Sequence, residues 1–257
     1  MVVVAMHETP RRHSAQLREQ LEWAAQHFAL IGPGDLPSFW EASQAPTDSK
    51  PRLLFTFDDG RQSNYAVAAP LLEALGARGI FFVIPDFIGL RGHAAREFYY
   101  SRIDIRGLPP SDMEEDWTPM SAGQLRDLAR RGHAIGSHTL THMRLAQLEI
   151  LELQRQVSAS AEAIARWIEH PVDYFAWPYA WDAIDKPAWD LARRTYRFCF
   201  SPCPGSVDSG TDSAHLIWRN EIESYYPREE YRFMYSGLVD LVWAARRARL
   251  KRVLAAA

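Results

Sequence analysis

Leu53-Leu54-Phe55-Thr56-Phe57-Asp58-Asp59-Gly60 is an apolar run that stops at two adjacent carboxylates and a glycine. Four of its first five residues are apolar, which predicts a buried strand delivering charge at its C-terminal end. Two neighbouring aspartates repel unless something positive holds them. At a strand end in an α/β protein that partner is a metal, a substrate or an arginine. Asp-Asp-Gly is also good turn chemistry, so a plain turn is the other reading of these residues.

Further along, Gly132-His133-Ala134-Ile135-Gly136-Ser137-His138-Thr139-Leu140-Thr141-His142 carries two histidines four apart, His138 and His142. Paired with a carboxylate from elsewhere, they suit an open metal site of the His₂-carboxylate kind. A third stretch is Phe175-Ala176-Trp177-Pro178-Tyr179. In this order, over residues 53–179, the three pieces resemble the motifs of the polysaccharide deacetylases, a carbohydrate esterase family. Those motifs are Thr-Phe-Asp-Asp-Gly, then His-Ser/Thr-x-x-His, then a Pro-Tyr pair. The resemblance implies a distorted (β/α) barrel, with seven strands rather than eight. It also implies a hydrolase that removes N-acetyl groups from N-acetylated sugars in a glycan or glycan precursor.

Carried over residue by residue, the resemblance assigns Asp59, His138 and His142 as ligands of a divalent metal, with Zn²⁺ first among the candidates. Asp58 falls to the general base, and the Tyr179 backbone N–H to the oxyanion hole. Pro178 helps fix that amide's direction. Trp177, Pro178 and Trp181 are the candidate substrate contacts, although tryptophan is also simply a core residue. Glu221 and Glu223 are further candidates for sugar contact, with solvent exposure the expected reading.

Two departures stand out. Many family members carry an arginine three residues before the motif tyrosine, where this chain has Ala176. Arg219 is the candidate to orient Asp58 instead; an exposed strand-end arginine is the other reading. The family's C-terminal Leu-x-His is missing, since no histidine follows His215. His7, after Val2-Val3-Val4-Ala5-Met6, is the candidate general acid. That stretch resembles the N-terminal strand-His motif of the poly-N-acetylglucosamine deacetylase branch, in which the motif order is circularly permuted. A barrel permits this because its first and last strands are neighbours. A strand-end histidine without chemistry is the other reading. Two further functions stay open: a catalytically impaired glycan-binding protein, and an amidohydrolase acting on a non-sugar amide.

The 257 residues are 47% hydrophobic, enough for one sizeable core, and one catalytic domain over 1–257 is expected. Charge is nearly balanced, 29 Lys+Arg against 32 Asp+Glu, so nothing asks for nucleic acid. Cys199 and Cys203 match no strong redox or zinc motif and are expected as free thiols. No apolar run approaches the ~20 residues of a membrane span. No secretory signal is seen at the start, so a cytoplasmic location is expected.

Along the chain, strands are expected at 1–6, 29–31, 53–57, 80–84, 134–136, 174–176, 198–200 and 216–218. Helices are expected at 14–28, 36–42, 66–75, 121–131, 146–169 and 187–195. A polar loop is expected at 45–50. The alternation argues for parallel strands with right-handed crossovers. Residues 85–119 show no clean period and read as an insertion over the barrel mouth. A C-terminal helix at 229–254 ends in Arg246, Arg247, Arg249, Lys251 and Arg252. Those cations suit a helix C-terminus; contact with a membrane surface or an anionic partner is the other reading.

Overall fold

The computed structural model describes residues 1–41, 50–105 and 111–255. Apart from Lys50, the polar loop expected at 45–50 lies outside them, as do residues 106–110 of the insertion. The strands are β1 (Val2–Met6), β2 (Ala29–Leu30), β3 (Arg52–Phe57), β4 (Ile80–Val83), β5 (Ala134–Ser137), β6 (Tyr174–Ala176), β7 (Phe198–Phe200) and β8 (Asn220–Glu221). They form a parallel sheet ordered β7-β6-β5-β4-β3-β1-β8, with the two-residue β2 beside the start of β3. The sheet curls into a distorted (β/α) barrel with seven strands on its path. β3 is buried from Leu53 through Phe57. A parallel strand covered on both faces reads as a continuous apolar run, as this one does. Each such Leu or Phe contributes roughly 1.5–3 kcal/mol by leaving water.

The helices are α1 (Ser14–His27), α2 (Leu36–Glu41), α3 (Ala69–Ala74), α4 (Gly92–Phe98), α5 (Ala122–Arg130), α6 (Ile150–Gln154), α7 (Ser160–Ile168), α8 (Lys186–Thr195), α9 (Arg228–Tyr235) and α10 (Val239–Ala255). Ser121 caps α5 through a reciprocal pair with Gln124.

Three expectations shift. The strand placed at 216–218 becomes a single bridge, Ile217 to Phe200, followed by β8 pairing with β1. The chain changes neighbour between Ile217 and Asn220, so no continuous ladder forms there. The helix placed at 146–169 begins at Ile150 and widens into a π turn at Arg155–Ala159. The Gln156 carbonyl there accepts from the Leu140 N–H at 3.0 Å, and its side chain accepts from the Thr141 N–H at 3.0 Å. The π turn thereby braces the loop between the two motif histidines. The C-terminal helix placed at 229–254 breaks into α9 and α10 around Gly237, whose φ of 79° ends the first.

The insertion is more ordered than its sequence suggests. It holds α4 and a π turn at Tyr99–Ile103, gathered on a small core of Ile84, Phe87, Ala95, Tyr99 and Trp117. Cys199 and Cys203 are free and buried. Among the described residues, no helix is long and apolar enough to cross a membrane.

Candidate active site

Parallel register places the chemistry on one rim. Met6 pairs with Phe57, so the next residues, His7 and Asp58, emerge side by side. Ala5 pairs with Glu221, which brings Glu223 beside His7. Val83 pairs with Ser137 and Ser137 with Phe175, which puts His138 next to Ala176. These are the C-terminal ends of the strands, where barrel sites are built.

At the end of β3, both readings of Asp-Asp-Gly hold at once. Asp59 and Gly60 both turn left-handed, with φ of 70° and 75°. A Cβ on Gly60 would come within 2.9 Å of Ile88 Cδ1, so glycine is needed for space as well as conformation. His142 (φ 58°) and Tyr179 (φ 62°) share the left-handed conformation. For non-glycine residues each such placement costs on the order of 1–3 kcal/mol, held by the surrounding packing.

Asp59, His138 and His142 are buried, and one ligand atom of each lies within 4.8 Å of the others. His138 Nδ1 donates to the Ala176 carbonyl at 2.9 Å and His142 Nδ1 to the Arg102 carbonyl at 2.7 Å. Both Nε2 lone pairs are therefore turned toward Asp59 Oδ1, at 3.8 and 3.7 Å. That oxygen is buried without a hydrogen-bond donor. Burial lowers the His138 pKa to about 4 despite the neighbouring Asp58, so its ring is neutral. Two lone pairs and an orphaned carboxylate oxygen facing one point repel unless a cation lies between them. In a tetrahedral zinc site, bonds of about 2.1 Å set ligand atoms roughly 3.4 Å apart, so the donor set and its spacing fit a divalent metal.

Asp58 is gripped in the fork of Arg219: Nη1 donates to Oδ1 at 2.7 Å and Nη2 to Oδ2 at 2.9 Å. Arg219 is buried, not exposed. Nη1 also reaches Thr56 Oγ1 at 3.2 Å, and the guanidinium lies 5.3 Å over the Phe82 ring. Burial alone would raise the Asp58 pKa. The Arg219 charge, with His138 and His7, outweighs this and holds the carboxyl well below the ordinary range.

His7 Nε2 stands 3.9 Å from Asp58 Oδ2, and its Nδ1 bonds Glu223 Oε1 at 2.7 Å. Glu223 also accepts from the backbone N–H of His7 and Glu8. Burial opposes the imidazolium, but Glu223, Asp59 and Asp58 push the His7 pKa up to about 10. The expectation that both glutamates face solvent is thus corrected for Glu223, which is 4% exposed; Glu221 is exposed. A charged carboxylate is buried there because three donors satisfy it.

One cavity of about 630 Å³ is lined by every predicted site residue except Pro178, which is buried and outside the lining. Trp177 is 1% exposed, its ring edge-on to Phe175, so it is chiefly a core residue; Trp181 is partly open. The Tyr179 hydroxyl donates to the Arg102 carbonyl at 3.0 Å. Its backbone N–H makes no hydrogen bond among the described residues.

Sequence reading missed Arg61, Gln156 and Arg102. Arg61 is buried, 3.8 Å from Asp59 Oδ2, and hydrogen-bonds Tyr99 of the insertion. Its signal was available: it directly follows Asp-Asp-Gly. Arg102 acts through its carbonyl, which no side-chain pattern can reveal.

The strand-end rim thus brings one carboxylate and two histidines that could hold a metal beside an arginine-held aspartate. The polysaccharide deacetylase family model matches residues 45–196, and the chain belongs to that family. It is similar to the protein named "Putative polysaccharide deacetylase YxkH" from Bacillus subtilis (strain 168), at 25% identity over 176 residues. That match covers 66% of this chain and 53% of the relative, so the chain spans about half the relative's length. Among solved structures it resembles the Streptococcus pyogenes deacetylase PplD in complex with acetate, with TM-score 0.67 and 15% identity over 91% of this chain and 97% of that one. It also resembles IcaB from Ammonifex degensii, with TM-score 0.68 and 17% identity over 91% and 94%. At such identities the likeness shows the fold.

Proposed function

We propose that this chain removes N-acetyl groups from N-acetylated sugars, with a divalent cation, Zn²⁺ first among candidates, held by Asp59, His138 and His142. The observation that carries the reading is the buried, unsatisfied Asp59 Oδ1 facing two Nε2 lone pairs beside the Arg219–Asp58 pair. A cation there would supply Lewis acidity and an acidified water. The chain's own groups do the rest. Asp58, fixed in direction by Arg219, takes the proton of the attacking water as general base. The Tyr179 backbone N–H donates to the oxyanion as the carbonyl carbon becomes tetrahedral. His7, held by Glu223, gives a proton to the leaving nitrogen.

Arg219 takes over the place left by Ala176, and His7 that of the absent C-terminal histidine. This arrangement supports the poly-N-acetylglucosamine deacetylase-like branch. Aromatic lining from Trp181, Trp243 and Tyr226 favours a sugar over a small non-sugar amide.

The test is metal content together with acetate release from N-acetylglucosamine oligomers. The purified protein should hold about one ion per chain. Asp58→Asn should keep the ion and lose turnover by at least roughly 10²-fold. His138→Ala should lose the ion. Full occupancy in His138→Ala would remove that histidine from the ligand set. A bound ion without acetate release from any N-acetylated sugar would leave a glycan-binding protein or an amidohydrolase acting on another amide.

A further inference from the structure

α10 carries five cations between residues 246 and 252, and three of them are occupied. Arg247 donates to the carbonyls of Pro204 and Asp240, Lys251 pairs with Asp212 at 2.7 Å, and Arg252 donates to the Ala248 carbonyl. Arg246 and Arg249 have no carboxylate or carbonyl partner among the described residues. These two lie against tryptophans: Arg246 sits 4.2 Å over the Trp243 ring and Arg249 5.3 Å over the Trp181 ring. Both tryptophans line the same cavity as Asp58 and His138. Three apart on a helix, the two guanidiniums share a face. A guanidinium on an aromatic ring is held by its face, while its in-plane N–H donors stay free for a planar or tetrahedral oxyanion. Arg246 and Arg249 are exposed and stand outside the cavity lining, each against a tryptophan of its wall, so an anionic group reaching out of the cavity past Trp243 and Trp181 meets two unanswered cations.

We propose that Arg246 and Arg249 form an anion subsite, so that the substrate is an N-acetylated sugar bearing a phosphate or carboxylate. This rests on the deacetylase reading for the acetamide end alone. A neutral polymer gives these arginines nothing to bind. An anionic group on the sugar or its aglycone gains charge-assisted hydrogen bonds, and the guanidinium pair selects for it.

The test is calorimetric binding to chelator-treated protein, which needs no turnover. The probes are N-acetylglucosamine, its 1-phosphate, and a disaccharide of N-acetylglucosamine with glucuronic acid. At least one anionic probe should bind about tenfold or more tightly than the neutral sugar. Preference for the phosphate alone, the uronate alone or both identifies the source of the anion, and each supports the subsite. The Arg246→Gln/Arg249→Gln pair should remove the preference with a far smaller effect on the neutral sugar. The corresponding Lys pair should restore part of it, since charge returns without the fork. Equal affinity for all three probes, or a preference that survives the Gln pair, overturns the proposal. Retained preference without acetate release in the metal-loaded protein supports the subsite and sinks the deacetylase reading alone.

Discussion

Among single residues, His7 shows how one position acquires a role from its neighbours. Its Nδ1 is tied to Glu223, which leaves Nε2 directed toward the Asp58 side of the cavity. A positioned acid of this kind matters in proportion to how poor the leaving group is. His7→Ala should keep the metal and slow amide hydrolysis by roughly 10²-fold, while an activated ester, whose leaving group needs no proton, should lose far less. Parallel rate measurements on both substrates decide this, and equal losses would exclude the acid role. Glu223→Gln should give a milder version of the same pattern, because the amide can still bond His7 but no longer favours its imidazolium.

Among elements, the insertion is coupled to the proposed metal ligands and is more than a wall of the cleft. Its Arg102 carbonyl accepts from His142 Nδ1 and from the Tyr179 hydroxyl, and Ile103 lines the cavity. Partners behind a ligating histidine set its tautomer and ring angle, and losing one typically costs about 10–100-fold in metal affinity. Trimming the insertion through Arg102 should therefore weaken metal binding on that scale as well as alter the substrate profile. Competition with a chromophoric chelator measures it; unchanged affinity would show that His142 holds its ring without help. The π turn at Arg155–Ala159 plays a comparable part on the other side, through Gln156.

Across the whole molecule, the buried charges make stability depend on pH in two opposite ways. Asp58 has a lowered pKa when folded, so its contribution is present above its ordinary value of 3.8 and is lost as pH falls below it. His7 has a raised pKa, so its contribution is complete below its ordinary 6.5 and is lost as pH rises toward about 10. Chelator-treated protein should thus melt at progressively lower temperature between about pH 6.5 and 10, and His7→Gln should flatten that slope. A variant melting curve as steep as the parent's would refute the assignment. A bound divalent cation opposes the His7 imidazolium and adds its own binding free energy, about 2.7 kcal/mol at a hundredfold excess over Kd.

What the chain determined by itself is local and periodic. The apolar run Leu53–Phe57 with its two aspartates, the histidine spacing and the strand–helix alternation were legible because burial and coordination impose short, repeating patterns. The barrel could be named from them, and so could the residues that the fold gathers on one rim, Asp58, Asp59, His138 and His142. The partnership of Arg219 with Asp58 was expected, but its bidentate grip from deep burial required the fold. Glu223 was misjudged because nothing near it in sequence says that three donors from His7 and Glu8, just past β1, will surround it. The Arg102 carbonyl and the Gln156 π turn were invisible because backbone groups carry no sequence label. The answering of Arg247 by the Pro204 carbonyl and of Lys251 by Asp212, and the placing of Arg249 over Trp181, likewise depended on what the fold brought to that helix. Such pairings join residues far apart in the chain, and only tertiary packing decides which charges meet.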